Sequence, residues 1–250
     1  KEMKKRLLIL GMIFTMAVSS AGCGSSSSDN AGKTDQTKQT ADVQDSQKDT
    51  SSSDKSDNKN DTSYKSADEI TMDDLMSHDE TPAEDFEFND SADEIVIQKY
   101  VGKDPIVVIP DEIDGKKVVD FDKTFWNNKI VVAIRVGNNV TEIKKMAFSN
   151  CENLKYVVLG ESVKSLGSDS FANTNIKEIE LNDGLQKIGE DDTNNTVDAP
   201  DSNYGMDLKI PDSVTEIHVR HFNLIVKSGS QAEQYAKEYA ESNNLTYTVE

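Results

Sequence analysis

The chain has 250 residues and a formal charge of −19, with 46 Asp and Glu against 27 Lys and Arg. Such an acidic balance repels nucleic acid and anionic lipid headgroups, which argues against both as partners of its surface. There are two cysteines, Cys23 and Cys151, enough for one disulfide.

Residues 1–22 begin with Lys1, Lys4, Lys5 and Arg6, then run through an apolar stretch from Leu7 to Val18 broken only by Gly11 and Thr15. This is the layout of a secretion signal; a membrane-spanning helix needs ~20 apolar residues to cross ~30 Å of hydrocarbon, and this run turns polar too soon. Ser20-Ala21-Gly22-Cys23 comes next. It resembles the lipobox of bacterial lipoproteins, with Ser20 where that family most often has Leu. The resemblance implies cleavage before Cys23, a diacylglycerol on its thiol, and a chain anchored at the extracellular face of a bacterial membrane, Gram-positive in type. Two acyl chains anchor stably where one is marginal. The alternative is a secreted chain with a Cys23–Cys151 disulfide, which closes a loop of more than a hundred residues through residues 24–66.

Those residues hold eleven Ser, five Thr, eight Asp and six Lys, and only Ala31, Ala41, Val43 and Tyr64 as apolar side chains. Nothing there offsets the entropy of ordering, so 23–66 reads as a disordered tether, spanning roughly 35–40 Å as a flexible coil. Asp54–Asp61 lacks the glycine and closing glutamate of an EF-hand. Residues 67–94 carry twelve Asp or Glu and no Lys or Arg, the mark of a solvated linker. Within the acidic segment 67–85, Ser66 and Glu69 have capping-box spacing ahead of Ile70, Leu75 and Met76, which predicts one short helix. Phe86–Phe88 and Ile95–Ile97 read as a hairpin, so the folded domain is expected to begin near Phe86 and run to 250.

An internal repeat organises the rest of the chain. Val140, Val163 and Leu185 recur at steps of 23 and 22; Ile143, Leu166 and Ile188 stand three residues after each; Phe148 and Phe171 stand eight after the first two. Leu154, Val157 and Leu159 are matched by Ile176, Ile179 and Leu181, and looser copies hold Val118, Phe121 and Trp126 before and Val214, Ile217 and Phe222 after. A short strand explains Leu154-x-x-Val157-x-Leu159, because alternate strand residues share a face. One unit cannot bury its apolar side alone, so the units stack: a repeat solenoid, mainly β with short helical turns, and a parallel sheet along one face. The phenylalanines fill the opposite layer.

These motifs, with the Ala147-Phe148 pair and "IVVIPDEIDGKKV" (106–118), resemble the BspA-like leucine-rich repeats of bacterial surface proteins over about residues 95–250. The resemblance implies a binding solenoid. Between Leu181 and Ile210 the step lengthens to 29, and Glu190–Gly205 forms an acidic loop with Thr193 in the aromatic's place. Its Asp191, Asp192, Asp198 and Asp201 have no regular ligand spacing, so solvation is expected over cation binding. His218 and His221 sit on opposite faces of a strand, which is wrong for chelation. Ser230 caps a helix with Ala232, Tyr235, Ala236 and Tyr239 on one face, and Leu245–Val249 is a last strand; together they form a C-terminal capping helix and strand.

Cys151 reads as a core residue with an unperturbed thiol. No nucleophile–base pair, metal set or phosphate loop is present, so the chain is expected to be neither an enzyme nor a holder of cofactor or metal. The outward sheet ladder supplies the candidate binding face: Arg135, Tyr156, Val158, Glu178, Glu180 and Lys209. The expected function is a monomeric, lipid-anchored module presenting that face to a protein or glycan, the alternative being an envelope adaptor with no external ligand.

Overall fold

The computed structural model describes residues 64–91, 93–190 and 196–250, all within one compact unit, Asn58–Glu250. The signal, Cys23 and residues 23–63 of the tether lie outside the described residues, as do Asp191, Asp192 and Thr193. Among the described residues no helix is long and apolar enough to cross a membrane.

The first element is α1 (Met72–Ser77), capped by Thr71, whose hydroxyl accepts from Asp74 N while the Asp74 carboxylate accepts from Thr71 N at 3.0 Å. The Ser66 spacing predicts an earlier start. There the chain makes only a turn, with Glu69 N donating to Ser66 O at 3.0 Å and the Ser66 hydroxyl to Glu69 Oε2 at 2.7 Å. The strands β1 (Phe86–Asp90) and β2 (Glu94–Tyr100) form the expected antiparallel hairpin. After β3 (Ile106–Val108) comes β4 (Glu112–Ile113), joined to β5 (Lys116–Asp120) by Asp114-Gly115 at φ 53° and 77°. Two positive φ values in a two-residue loop match the twist of a hairpin, which is why Asp-Gly stands there.

Each repeat then yields a three-residue and a two-residue strand: β6 (Ala133–Arg135) and β7 (Glu142–Ile143), β8 (Tyr156–Val158) and β9 (Ser165–Leu166), β10 (Glu178–Glu180) and β11 (Lys187–Ile188). The irregular unit contributes β12 (Val197–Asp198), β13 (Asp207–Lys209) and β14 (Glu216–Ile217). The end of the solenoid is β15 (Val219–Arg220), β16 (Asn223–Val226), α2 (Gln231–Tyr239) and β17 (Thr246–Val249). The fold is a mainly β parallel solenoid with few helices, as the repeat predicts.

Two parallel sheets enclose the core. One stacks β3, β6, β8 and β10 with Val107, Ile134, Val157 and Ile179 in one inward row; the other aligns Ile143, Leu166, Ile188 and Ile217 on β7, β9, β11 and β14. A third layer is aromatic. Phe148 and Phe171 stack with centroids 5.9 Å apart and planes at 3°, and Phe121 and Phe125 lie 5.6 and 6.1 Å from Phe148. The sequence places Trp126 in this layer, but Trp126 is 51% exposed and Phe125, 1% exposed, fills the slot. An indole buried there needs a partner for its N–H, whereas a phenyl ring has none to satisfy.

At the far end Ser230 Oγ accepts from Glu233 N at 3.1 Å and Ala232 and Ala236 are buried. Tyr235 donates its hydroxyl to Val219 O at 3.1 Å, tying α2 across the last repeat.

Candidate binding face

The outward side of the main sheet is built by register. Ile106, Ala133, Tyr156 and Glu178 make one row and Val108, Arg135, Val158 and Glu180 the other. Along these rows the chemistry changes from aliphatic at β3 to anionic at β10. Lys209 lies on β13, which stands beside β10 but is hydrogen-bonded to β16 and, through it, to β17, with no ladder joining it to β10. The long unit between Leu181 and Ile210 breaks the ladder there, while β11 and β14 still pair across it.

The aliphatic half of the face is already occupied, by the chain's own acidic segment. Ile70 (2% exposed) and Leu75 (0% exposed) form a second apolar cluster with Ile106, Val108, Val132, Ala133 and Val158, edged by Ala67, Met72 and Tyr156. The polar contacts trace the same path. Lys155 donates from Nζ to Ala67 O at 2.8 Å and to Asp68 Oδ1 at 2.7 Å; Arg135 donates from Nη2 to His78 O at 3.2 Å. Thr81 ends the crossing by pairing with β3: its N–H reaches Val108 O, and its hydroxyl accepts from Val108 N, both at 2.9 Å. The linker reading of 67–85 is therefore corrected: this is an ordered strap, and the folded unit does not wait for Phe86. Its two aliphatic anchors, Ile70 and Leu75, are each worth about 1.5–3 kcal/mol when fully buried.

Of the six candidate residues, then, three lie at the strap. Val158 is buried, Tyr156 half-buried at its edge, and Arg135 bonded to its backbone. Glu178, Glu180 and Lys209 are exposed beyond it, Lys209 pairing with Glu250 at 3.1 Å. Sequence reasoning missed Lys155 and the strap; a cation just before a sheet strand was the available signal. The strap's carboxylates are tuned by these contacts. The Lys155 hydrogen bond holds Asp68 below its ordinary value of 3.8, and Lys65 and the Thr71 backbone do the same for Asp74. Both are lowered, so their contribution is present above the ordinary value and fades as pH falls below it.

The other candidates resolve separately. Asp198 is held by Arg220 at 2.9 and 3.1 Å and accepts from Thr196 Oγ1, while Asp201 accepts from the Tyr204 hydroxyl at 2.6 Å. His221 stacks on Tyr204 with centroids 4.2 Å apart, and His218 meets Tyr235 edge-on at 6.1 Å. Among the described residues no three His, Cys, Asp or Glu are grouped to hold a metal.

Cys151 is a free thiol, 1% exposed, whose Sγ donates to Phe125 O at 2.6 Å. Burial pushes its pKa from 9.0 up to about 11, so the thiol is perturbed, not ordinary. A raised acid pKa means stability is intact below pH 9 and lost as pH rises toward 11. At pH 7.5 iodoacetamide should leave Cys151 unmodified until global unfolding; peptide mapping that finds rapid native-state alkylation contradicts this burial.

Residues 121–197 match the family described as "BspA type Leucine rich repeat region", in six copies. The repeats within residues 121–197 are leucine-rich repeats of the BspA type. A leucine-rich repeat protein from T. pallidum matches with a TM-score of 0.50 and 27% identity, covering 59% of this chain and 71% of its own. A leucine-rich repeat protein from Bacteroides ovatus matches at 20% identity and TM-score 0.43, over 56% of this chain and 39% of its own. A leucine rich cell surface protein from Faecalibacterium prausnitzii matches at 23% identity and TM-score 0.35, over 58% and 52%. Comparison with curated protein sequences gave no match. The BspA-type stretch coincides with the stacked units between Phe121 and Val197, so the sequence period, the strand rows and the family match describe one object.

Proposed function

We propose that this chain is a lipid-anchored cell-surface module that binds a protein or glycan through the sheet face of its BspA-type solenoid. One observation carries the binding half. The face takes up a length of polypeptide, residues 67–81, by two aliphatic anchors, two cations and a strand-edge pairing. A surface that holds one peptide segment this way has the chemistry to hold another. Beyond the strap, Glu178, Glu180 and Asp207 stay exposed and present an anionic patch that selects cationic groups on a partner.

The anchoring half rests on Ser20-Ala21-Gly22-Cys23 and the apolar run before it. Two acyl chains on Cys23 give stable attachment, and the tether after it sets the solenoid off from the membrane.

Two measurements test these halves. Mass spectrometry of the mature amino terminus should find Cys23 first and diacylated; an unmodified Cys23 removes the anchor. Purified protein should bind intact bacteria or host matrix, and the Glu178→Lys/Glu180→Lys variant should bind at least ten-fold more weakly. Unchanged binding by that folded variant excludes the exposed half of the sheet.

A further inference from the structure

The strap's apolar contacts form a cluster of their own, separate from the core between the two sheets. Undocking it leaves the rows of Val107, Ile134, Val157 and Ile179, and the phenylalanine layer, untouched. What undocking exposes is a concentrated patch: Ile106, Val108, Ala133 and Val158 as floor, Tyr156 at the edge, Lys155 and Arg135 as cations. Aliphatic and Tyr contacts ringed by Arg and Lys are the composition of a binding hot spot.

The strap itself is a marginal occupant. Its helix has six residues, Met72–Ser77, and helices shorter than ~12–15 residues do not persist undocked in water. Folding is therefore coupled to docking, and part of the interaction free energy goes into ordering the segment. Its ion pair is lopsided: the Lys155 side chain is 11% exposed while that of Asp68 is 97% exposed. The cation is the built, buried partner, and the carboxylate is reached from solvent.

We infer that the aliphatic half of the sheet face is a binding site for an acidic peptide segment carrying two aliphatic anchors, and that residues 66–78 occupy it in cis as an exchangeable cover. This rests on the reading of the sheet face as protein-binding and names the ligand class for one half of it. Charge complementarity sets the class. Residues 64–80 carry six carboxylates and one lysine; the carboxylate that meets the solenoid is Asp68, faced by Lys155 with Lys177 at longer range, while Asp74 pairs with Lys65 of the segment itself. The anchors sit at Ile70 and Leu75, and an external ligand needs the same pair with an acidic residue ahead of the first. A tethered segment competes at an effective concentration near millimolar, so an external peptide binds the closed protein weakly and the opened one well.

The probe is a fluorescein-labelled synthetic peptide of residues 64–80, titrated by anisotropy into the full chain and its Ile70→Asp/Leu75→Asp variant. The opened variant should bind at least ten-fold more tightly than wild type. Adding Lys155→Glu to it should lose at least ten-fold, and a probe with both anchors changed to Ser should not bind. Binding should also weaken as salt rises, since the charge pairing is partly exposed. If the folded variant does not take up the probe at 1 mM, or wild type binds it equally well, the inference is overturned. A second test avoids reliance on that variant's folding: a site-specific protease sequence inserted after Asp79 in the full chain. After cleavage the freed segment should exchange with the labelled peptide; a segment that stays and refuses exchange overturns the inference as well. Charge reversal at Glu178 and Glu180 reads the other half of the face, so it separates failure of this assignment from failure of the binding module.

Discussion

Phe148→Ala should cost about 3–5 kcal/mol, the range for removing a fully buried phenyl ring. Phe148 is 0% exposed, and it is the ring that joins the aromatic layer: Phe171 lies on one side, Phe121 and Phe125 on the other. In a solenoid each turn contacts only its neighbours, so a cavity here weakens the coupling between turns as well as the turn itself. Urea unfolding followed by circular dichroism should show the midpoint falling sharply. The m-value should fall too if the two halves begin to separate, because m scales with the surface exposed in the cooperative transition. Phe148→Leu keeps most of the volume and should cost less than half as much. A loss below about 1 kcal/mol for the alanine variant contradicts the close packing described for this layer.

The parts of the molecule that were legible in the sequence are those fixed by local periodicity. Ile143, Leu166, Ile188 and Ile217 recur at one offset because they form one inward row, and the row was readable from spacing alone. One misplacement and one overlooked signal have physical reasons. Trp126 stands eight residues after Val118, as Phe148 does after Val140, yet the 23-residue step back from Phe148 lands on Phe125, and the ring without a polar atom is the one buried. Asn127, Asn150 and Asn173 recur at the same step with φ of 59°, 63° and 55°, a corner signal carried by polar residues and so invisible in the apolar pattern; asparagine tolerates the left-handed region better than most residues.

The strap was illegible for a different reason. Its composition is dominated by carboxylates that face solvent, and its docking depends on two side chains, Ile70 and Leu75. The groups that receive it are far along the chain: Arg135 is 57 residues from His78 and Lys155 is 87 from Asp68. Composition averages over a segment, whereas docking is decided by a few positions whose partners only the fold brings near. The same limit applies to Lys209, where the 29-residue step announced a loop but not the broken ladder: β13 stands beside β10, yet its strand pairing runs to β16.

Gly160→Ala tests the close approach of successive turns, and here the sign decides. Where the backbone can accept a Cβ, replacing Gly by Ala stabilises by about 0.4–1 kcal/mol, because the unfolded chain loses freedom. At Gly160 a Cβ meets Gly137 O at 2.3 Å and Gly137 C and Val136 O at 2.8 Å. All three are backbone atoms of the preceding turn and cannot swing aside. They belong to the same ladder in which Val136 N donates to Val158 O at 2.9 Å, so relieving the clash means lengthening hydrogen bonds between turns. Overpacking of this kind costs typically 1–3 kcal/mol, and the backbone contact puts Gly160→Ala near the upper end. Gly115→Ala is the contrast: nothing lies within 4 Å of its Cβ, and only the positive φ of 77° opposes the change. Denaturant unfolding of the two variants should therefore separate a steric penalty from a conformational one, with Gly160→Ala the more damaging. A Gly160→Ala protein as stable as wild type, or more so, means that the turns do not approach as closely as the Gly137–Gly160 column requires.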